Sequence, residues 1–108
     1  MLKYNYARLQ SDLEAAAEAA TKAAAETAPG GSGNRDDAWL WLPRANRKKV
    51  EAAGEAAGLP CSWVRSGKYL LCLPAPQLYD QRNTAAVVAA AAALRARGYD
   101  ATVTYDMD

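Results

Sequence analysis

Between Ala38 and Tyr105 the chain runs strand, helix, strand, strand, helix, strand. This order constrains the fold more than any other feature, because strands interleaved with helices must share a sheet that the helices cover. The strands are short apolar runs: Ala38 to Leu42, Cys61 to Arg65, Lys68 to Leu73 and Ala101 to Tyr105, each bounded by charge, glycine or proline.

Alternation along the first strand puts Ala38, Leu40 and Leu42 on one face and Trp39 and Trp41 on the other. Neither face is polar, so this strand needs cover on both sides, and so does the third. The last strand alternates cleanly and suits an edge. A Ser66-Gly67 turn between the second and third strands would pair Arg65 with Lys68, Trp63 with Leu70 and Cys61 with Cys72. The cysteines would then face each other. Their spacing is not C-x-x-C, so they are expected as reduced, buried small hydrophobes.

Three helices are expected. In the first, from about Leu2 to Thr27, the stripe Leu2, Tyr6, Leu9 and Leu13 continues after Ala15 only as alanine. Its charge is acidic, with Asp12, Glu14, Glu18 and Glu26 against Lys3, Arg8 and Lys22. The helix can lie on its own domain or dock on another copy or another protein. The second, from about Arg44 to Ala57, closes at Gly58. Arg44, Arg47, Lys48 and Lys49 crowd its start, where the helix dipole disfavours cations. The third, from Asn83 or Thr84 to Arg97, turns Val87, Val88, Ala91 and Leu94 to the core, and the stretch from Pro74 to Arg82 before it is expected as a polar loop able to carry binding residues. The chain thus divides into an amphipathic helix (1–27), a glycine-rich linker (28–37) and an α+β domain (38–108) that ends in the negative charges of Asp106 and Asp108.

One sheet face must pack on the two alanine-rich helices, whose small side chains leave room for bulky strand residues. The other would expose tryptophan or leucine, a patch that soluble monomers seldom leave open. The ten-residue connection from Ala28 to Asp37 is long enough to bring the N-terminal helix over it as a lid. Failing that, a second subunit or a partner is expected there.

Composition narrows the chemistry. Lys and Arg number 13 against 12 Asp and Glu, so no global field draws the chain to nucleic acid or an anionic membrane, and any electrostatic role is local. Alanine, about a quarter of the chain, favours helix but supplies little burial energy per residue. Histidine is absent, which removes Ser-His and Cys-His nucleophile pairs, His-ligated metals and the usual pH switch. The cluster Pro29-Gly30-Gly31-Ser32-Gly33 follows a helix and precedes no Lys-Ser or Lys-Thr, so it is a linker and not a phosphate loop. The longest uncharged stretch, Asn83 to Leu94, is too short to span a bilayer, and the N-terminus lacks the basic-then-apolar pattern of a signal. A cytoplasmic protein without enzymatic activity, cofactor, metal or membrane contact is expected.

The order of elements resembles the ferredoxin-like fold, βαββαβ with a four-stranded antiparallel sheet in the order 4-1-3-2, here with an additional N-terminal α-helix. That fold hosts many functions. RNA-recognition domains share the order, and Arg65-Ser66-Gly67-Lys68-Tyr69 is similar to the basic-Gly-aromatic start of their third-strand motif. It departs from it because Lys68 follows the glycine in place of an aromatic, and Leu71 and Leu73 hold positions of further aromatics. A stacking surface would draw on Trp39, Trp41, Trp63 and Tyr69. The acylphosphatase branch needs a glycine-rich loop that Leu42-Pro43-Arg44 lacks.

In size and layout the whole chain is similar to small accessory proteins of phages and prophages, anti-CRISPR proteins among them. This resemblance implies a non-catalytic protein-binding module that inhibits a host nucleoprotein complex by occupying its surface. The candidate partner-binding residues are Arg44, Arg47, Lys48, Lys49, Arg65, Lys68 and Arg82, with Tyr79 as an aromatic anchor. Direct nucleic-acid binding and a homodimeric regulatory or structural role are the alternatives. The homodimer would use the Tyr6, Leu9 and Leu13 stripe or an uncovered sheet face.

Overall fold

The computed structural model describes residues 4–31, 36–73 and 80–105. Leu2, Lys3, Tyr79, the rest of the 74–79 stretch, Asp106 and Asp108 lie outside the described residues. The elements are α1 (Tyr6–Glu26), β1 (Asp37–Trp41), α2 (Arg47–Ala57), β2 (Cys61–Arg65), β3 (Lys68–Leu71), α3 (Gln81–Ala96) and β4 (Asp100–Thr104).

The strands form one four-stranded antiparallel sheet in the order β2-β3-β1-β4. Counted from the β4 edge this is 4-1-3-2, and the two strands that are apolar on both faces sit inside. Ala38 and Leu40 of β1 pair with Leu71 and Tyr69 of β3 and with Val103 and Ala101 of β4 on the helix side. Ala38, Leu40, Tyr69, Leu71 and Ala101 are all buried there with Leu42, Val50, Leu59, Val87 and Leu94. Burying each of the larger aliphatic side chains contributes about 1.5–3 kcal/mol.

The hairpin register differs from the one the turn alone predicts. Arg65 pairs with Lys68, but a bulge between Trp63 and Arg65 then sets Trp63 opposite Tyr69, Ser62 opposite Leu70 and Cys61 opposite Leu71. The extra residue turns the remainder of β2 over. Cys61 and Trp63 therefore share the helix side with Leu71 and Tyr69, Cys61 is buried, Cys72 is exposed, and both thiols are free. Gly54 of α2 lets the helix approach that buried cysteine closely. A Cβ there would lie 2.8 Å from the Leu59 carbonyl oxygen and 2.9 Å from the Cys61 nitrogen.

The N-terminal helix is not the lid of the outer sheet face. α1 packs on α2 and α3, on the side of the molecule away from that face. Its alanines explain the choice: Ala16, Ala17, Ala20 and Ala24 are buried beside Leu9 and Leu13, and small side chains let helix axes come close. α3 offers a matching surface, buried along Ala86, Val87, Ala90, Ala91 and Leu94.

Helix boundaries follow caps more than composition. Asn5 caps α1 by accepting from the Arg8 amide, Asn46 caps α2 by accepting from the Lys49 amide, and Asp80 caps α3 by accepting from the Arg82 amide. α2 therefore starts at Arg47, three residues later than its cation run suggests, and α3 starts at Gln81 and not at Asn83 or Thr84. No helix among the described residues is long and apolar enough to cross a membrane.

Candidate partner interface

The end of β1, the start of α2 and the tip of the β2–β3 hairpin meet at one end of the sheet. The Leu42 amide donates to the Gly67 carbonyl at 2.7 Å, and a Cβ on Gly67 would lie 3.1 Å from Pro43 Cα, so the tip rests against the segment that leads into Arg44. Gly67, at a φ of 80°, supplies the left-handed conformation this contact needs. α1 and the residues that lead into it brace the same segment from the other side. The Tyr4 hydroxyl donates to the Pro43 carbonyl at 2.7 Å, and the Asn46 amide donates to the Tyr6 hydroxyl at 2.8 Å. Tyr6, a member of the apolar stripe, also holds the loop through its hydroxyl.

Arg44 lies in this braced loop and not in the helix, so it pays no dipole cost. It is the one described non-glycine residue with a positive φ, 63°. That conformation is strained for an arginine. Arg47 spreads its guanidinium over the Trp63 ring, 4.6 Å from the centroid, and pairs with Glu51 at 3.3 Å. Lys48 is exposed, and Lys49 reaches over the Tyr6 ring at 5.5 Å. Arg47 and Lys49 thus lie over Trp63 and Tyr6 on the helix side of the sheet end, with Arg44 and Lys48 exposed in the same stretch of chain.

Arg65 and Lys68 face the other way. They pair with each other on the outer side of the hairpin, and the Lys68 ammonium sits 4.3 Å from the centroid of Trp39. The cation patch that the sequence suggested is thus brought to one end of the molecule but split across two faces. Arg82 is not part of it. Its guanidinium is held by Asp80 at 2.9 Å, beside the start of β1, where Thr84 donates to Asp36 at 2.6 Å. Side-chain bonding from Arg82, its amide and the Gly30 amide together hold the Asp80 carboxyl well below the usual carboxylate range. Tyr79 lies outside the described residues.

The aromatic quartet of an RNA-recognition surface is not assembled. Trp39 and Trp41 share the outer face, whereas Tyr69 is 1% exposed in the core and the bulge sends Trp63 to the helix side. Around the sheet end, Trp41, Trp63 and Val64 all remain exposed. Val64 owes its exposure to the bulge, which composition does not announce.

Cys61 is no candidate nucleophile, since burial, with a smaller push from Cys72, moves its thiol up to about 12. Burial also raises Cys72, reinforced by Asp37 and Glu55. Thiolates, the reactive form, are disfavoured at both positions. Among the described residues no three His, Cys, Asp or Glu side chains converge to hold a metal ion. No family model, curated protein or solved structure matches the chain.

Proposed function

We propose that the protein is a non-catalytic protein-binding module of ferredoxin-like build, acting in the cytoplasm as a phage or mobile-element inhibitor of a host nucleoprotein complex. The observation that carries the binding role is Arg44. A strained arginine is kept at a left-handed position that glycine would occupy at lower cost, and Tyr6 of α1 together with Tyr4 just before it braces the loop that holds it. Beside it stand Arg47, Lys48 and Lys49, with Trp63 as an exposed aromatic under the Arg47 guanidinium. Arginine and tryptophan are the side chains most enriched at interface hot spots, and a cationic rim fits an acidic protein surface. The resemblance in size and layout to anti-CRISPR proteins supports the identity of the target class. The raised thiols and the lack of histidine support a role without catalysis.

A nucleic-acid reading would draw on Trp39, Trp41 and Lys68 on the outer face. That face also carries Asp37 and Asp100, which oppose phosphate there.

The test is affinity capture from host lysate, with and without nuclease, using the wild type and a variant with alanine at Arg44, Arg47, Lys48 and Lys49. The expected result is a stoichiometric, nuclease-resistant protein partner that the variant loses while its circular dichroism is unchanged. A folded variant that captures the same partner equally well overturns the assignment, and recovery of nucleic acid alone would favour the other reading.

A further inference from the structure

The strand register lays out the outer face as a grid. Its first row, across β4, β1, β3 and β2, is Asp100, Trp41, Lys68 and Arg65; its second is Thr102, Trp39, Leu70 and Ser62. No described element packs on it, and α1, the only spare helix, lies on the opposite side. Cations occupy the β2–β3 half of the first row and the carboxylate the β4 edge, with the two indoles on β1 between. Among the described residues Arg65 and Asp100 take part in no ion pair.

We infer that this face binds a second copy of the chain about a two-fold axis parallel to the strands and midway between β1 and β3. Such an axis sets β2 over the other copy's β4 and β3 over its β1, and it keeps each row opposite itself. Arg65 then meets the second copy's Asp100, Lys68 meets its Trp41, and Leu70 meets its Trp39. Every contact occurs twice, as an isologous interface requires. Two aligned sheets pack about 10 Å apart with their strands about 30° from parallel, which follows when the axis is inclined by about 15° to the mean strand direction, the middle strands still lying over one another.

The face is prepared for burial. The Trp39 indole N–H already donates to the Thr104 hydroxyl at 2.9 Å, so covering it strands no donor. Its two cations, Arg65 and Lys68, are matched in number by Asp100 and Asp37, which suits a copy of itself and does not suit a polyanion. Four strands at about 4.8 Å spacing and up to five residues at about 3.3 Å rise give roughly 300 Å² in projection. This is small beside the roughly 800 Å² per partner of a standard interface, so the dimer is weak and concentration-dependent. It leaves the α2 cations outside the contact and does not depend on the partner proposed for them.

The test is sedimentation of the full chain from micromolar to millimolar concentration, with Arg65→Asp, Asp100→Arg and their equimolar mixture. Wild type is expected to dimerise, more weakly in high salt, with a blue shift of tryptophan emission as concentration rises. Each reversal alone sets two like-charge pairs in its own dimer and should weaken association at least about tenfold. In the mixed dimer both pairs are again opposite in sign, so mixing should restore association. A wild type that stays monomeric throughout, or reversals that do not matter, overturns the inference. So does a monomer that takes up a single-stranded oligonucleotide through Trp41. If a reversed chain does not fold, the salt and emission series on wild type still decides.

Discussion

The Tyr99 hydroxyl donates to Asp12 Oδ2 at 2.7 Å, tying the residue before β4 to the middle of α1. Arg8 and Arg97 approach the same carboxylate at 3.5 and 3.4 Å, so Asp12, only 9% exposed, is compensated on all sides. The bond is one reason α1 lies where it does.

Burial, followed by the bond to Asp12 and its charge, raises the Tyr99 pKa above the ordinary tyrosine value. A raised folded value means that the unfolded chain gives up its proton first. The bond's contribution is therefore complete below about pH 10 and is lost as pH climbs through the folded value. Tyr99→Phe should cost about 1–2 kcal/mol at neutral pH and decline less steeply in alkali than wild type. Urea unfolding of both proteins at neutral and alkaline pH measures this; equal alkaline slopes would remove Tyr99 as the titrating group.

Thiol reactivity reads the hairpin register directly. With the bulge, a thiol reagent should modify exposed Cys72 in the native protein, slowly at neutral pH, and reach Cys61 only after unfolding, with no disulfide under air. If both thiols react together, or link to each other, Cys61 faces Cys72 as an unbulged hairpin would require.

The bulge shows where the sequence stops being informative. The need of β1 and β3 for cover on both faces was legible in their large apolar groups, their central place came only with the resemblance in element order, and the end of α2 was legible in Gly58, which adopts a φ of 76°. A one-residue bulge at Val64 changes no composition, yet it moves Trp63 and Cys61 to the other face. The position of α1 was hidden for a similar reason: an alanine stripe promises close packing without saying on what. The place of Arg82 was hidden differently: expected on a polar loop, it stands in the first turn of α3, where the cap Asp80 holds its guanidinium. Asn46 likewise marks the start of α2 more reliably than the charge run around it.

Gly54 supplies the test of the α2–β2 contact. Gly54→Ala would ordinarily favour a helix by about 0.5–1 kcal/mol. Here the added methyl meets backbone at 2.8 Å and 2.9 Å, and backbone cannot swing aside as a side chain can. A net loss of about 1–3 kcal/mol is expected in thermal unfolding. A variant as stable as wild type would mean that α2 stands further from β2.

Arg44→Gly separates stability from binding at a single position. Relief of the left-handed arginine should raise stability by about 1 kcal/mol, offset in part by the greater freedom glycine has in the unfolded chain. No described side chain pairs with the Arg44 guanidinium, so its removal sacrifices no internal contact. The same change should weaken capture of the protein partner, because it removes an exposed cation from the braced loop between Pro43 and Asn46. Chemical unfolding and partner titration on one preparation give both numbers. A stabilised variant with weaker binding fits an arginine retained for function. A variant that gains stability and binds as before leaves Arg44 without a role at the interface.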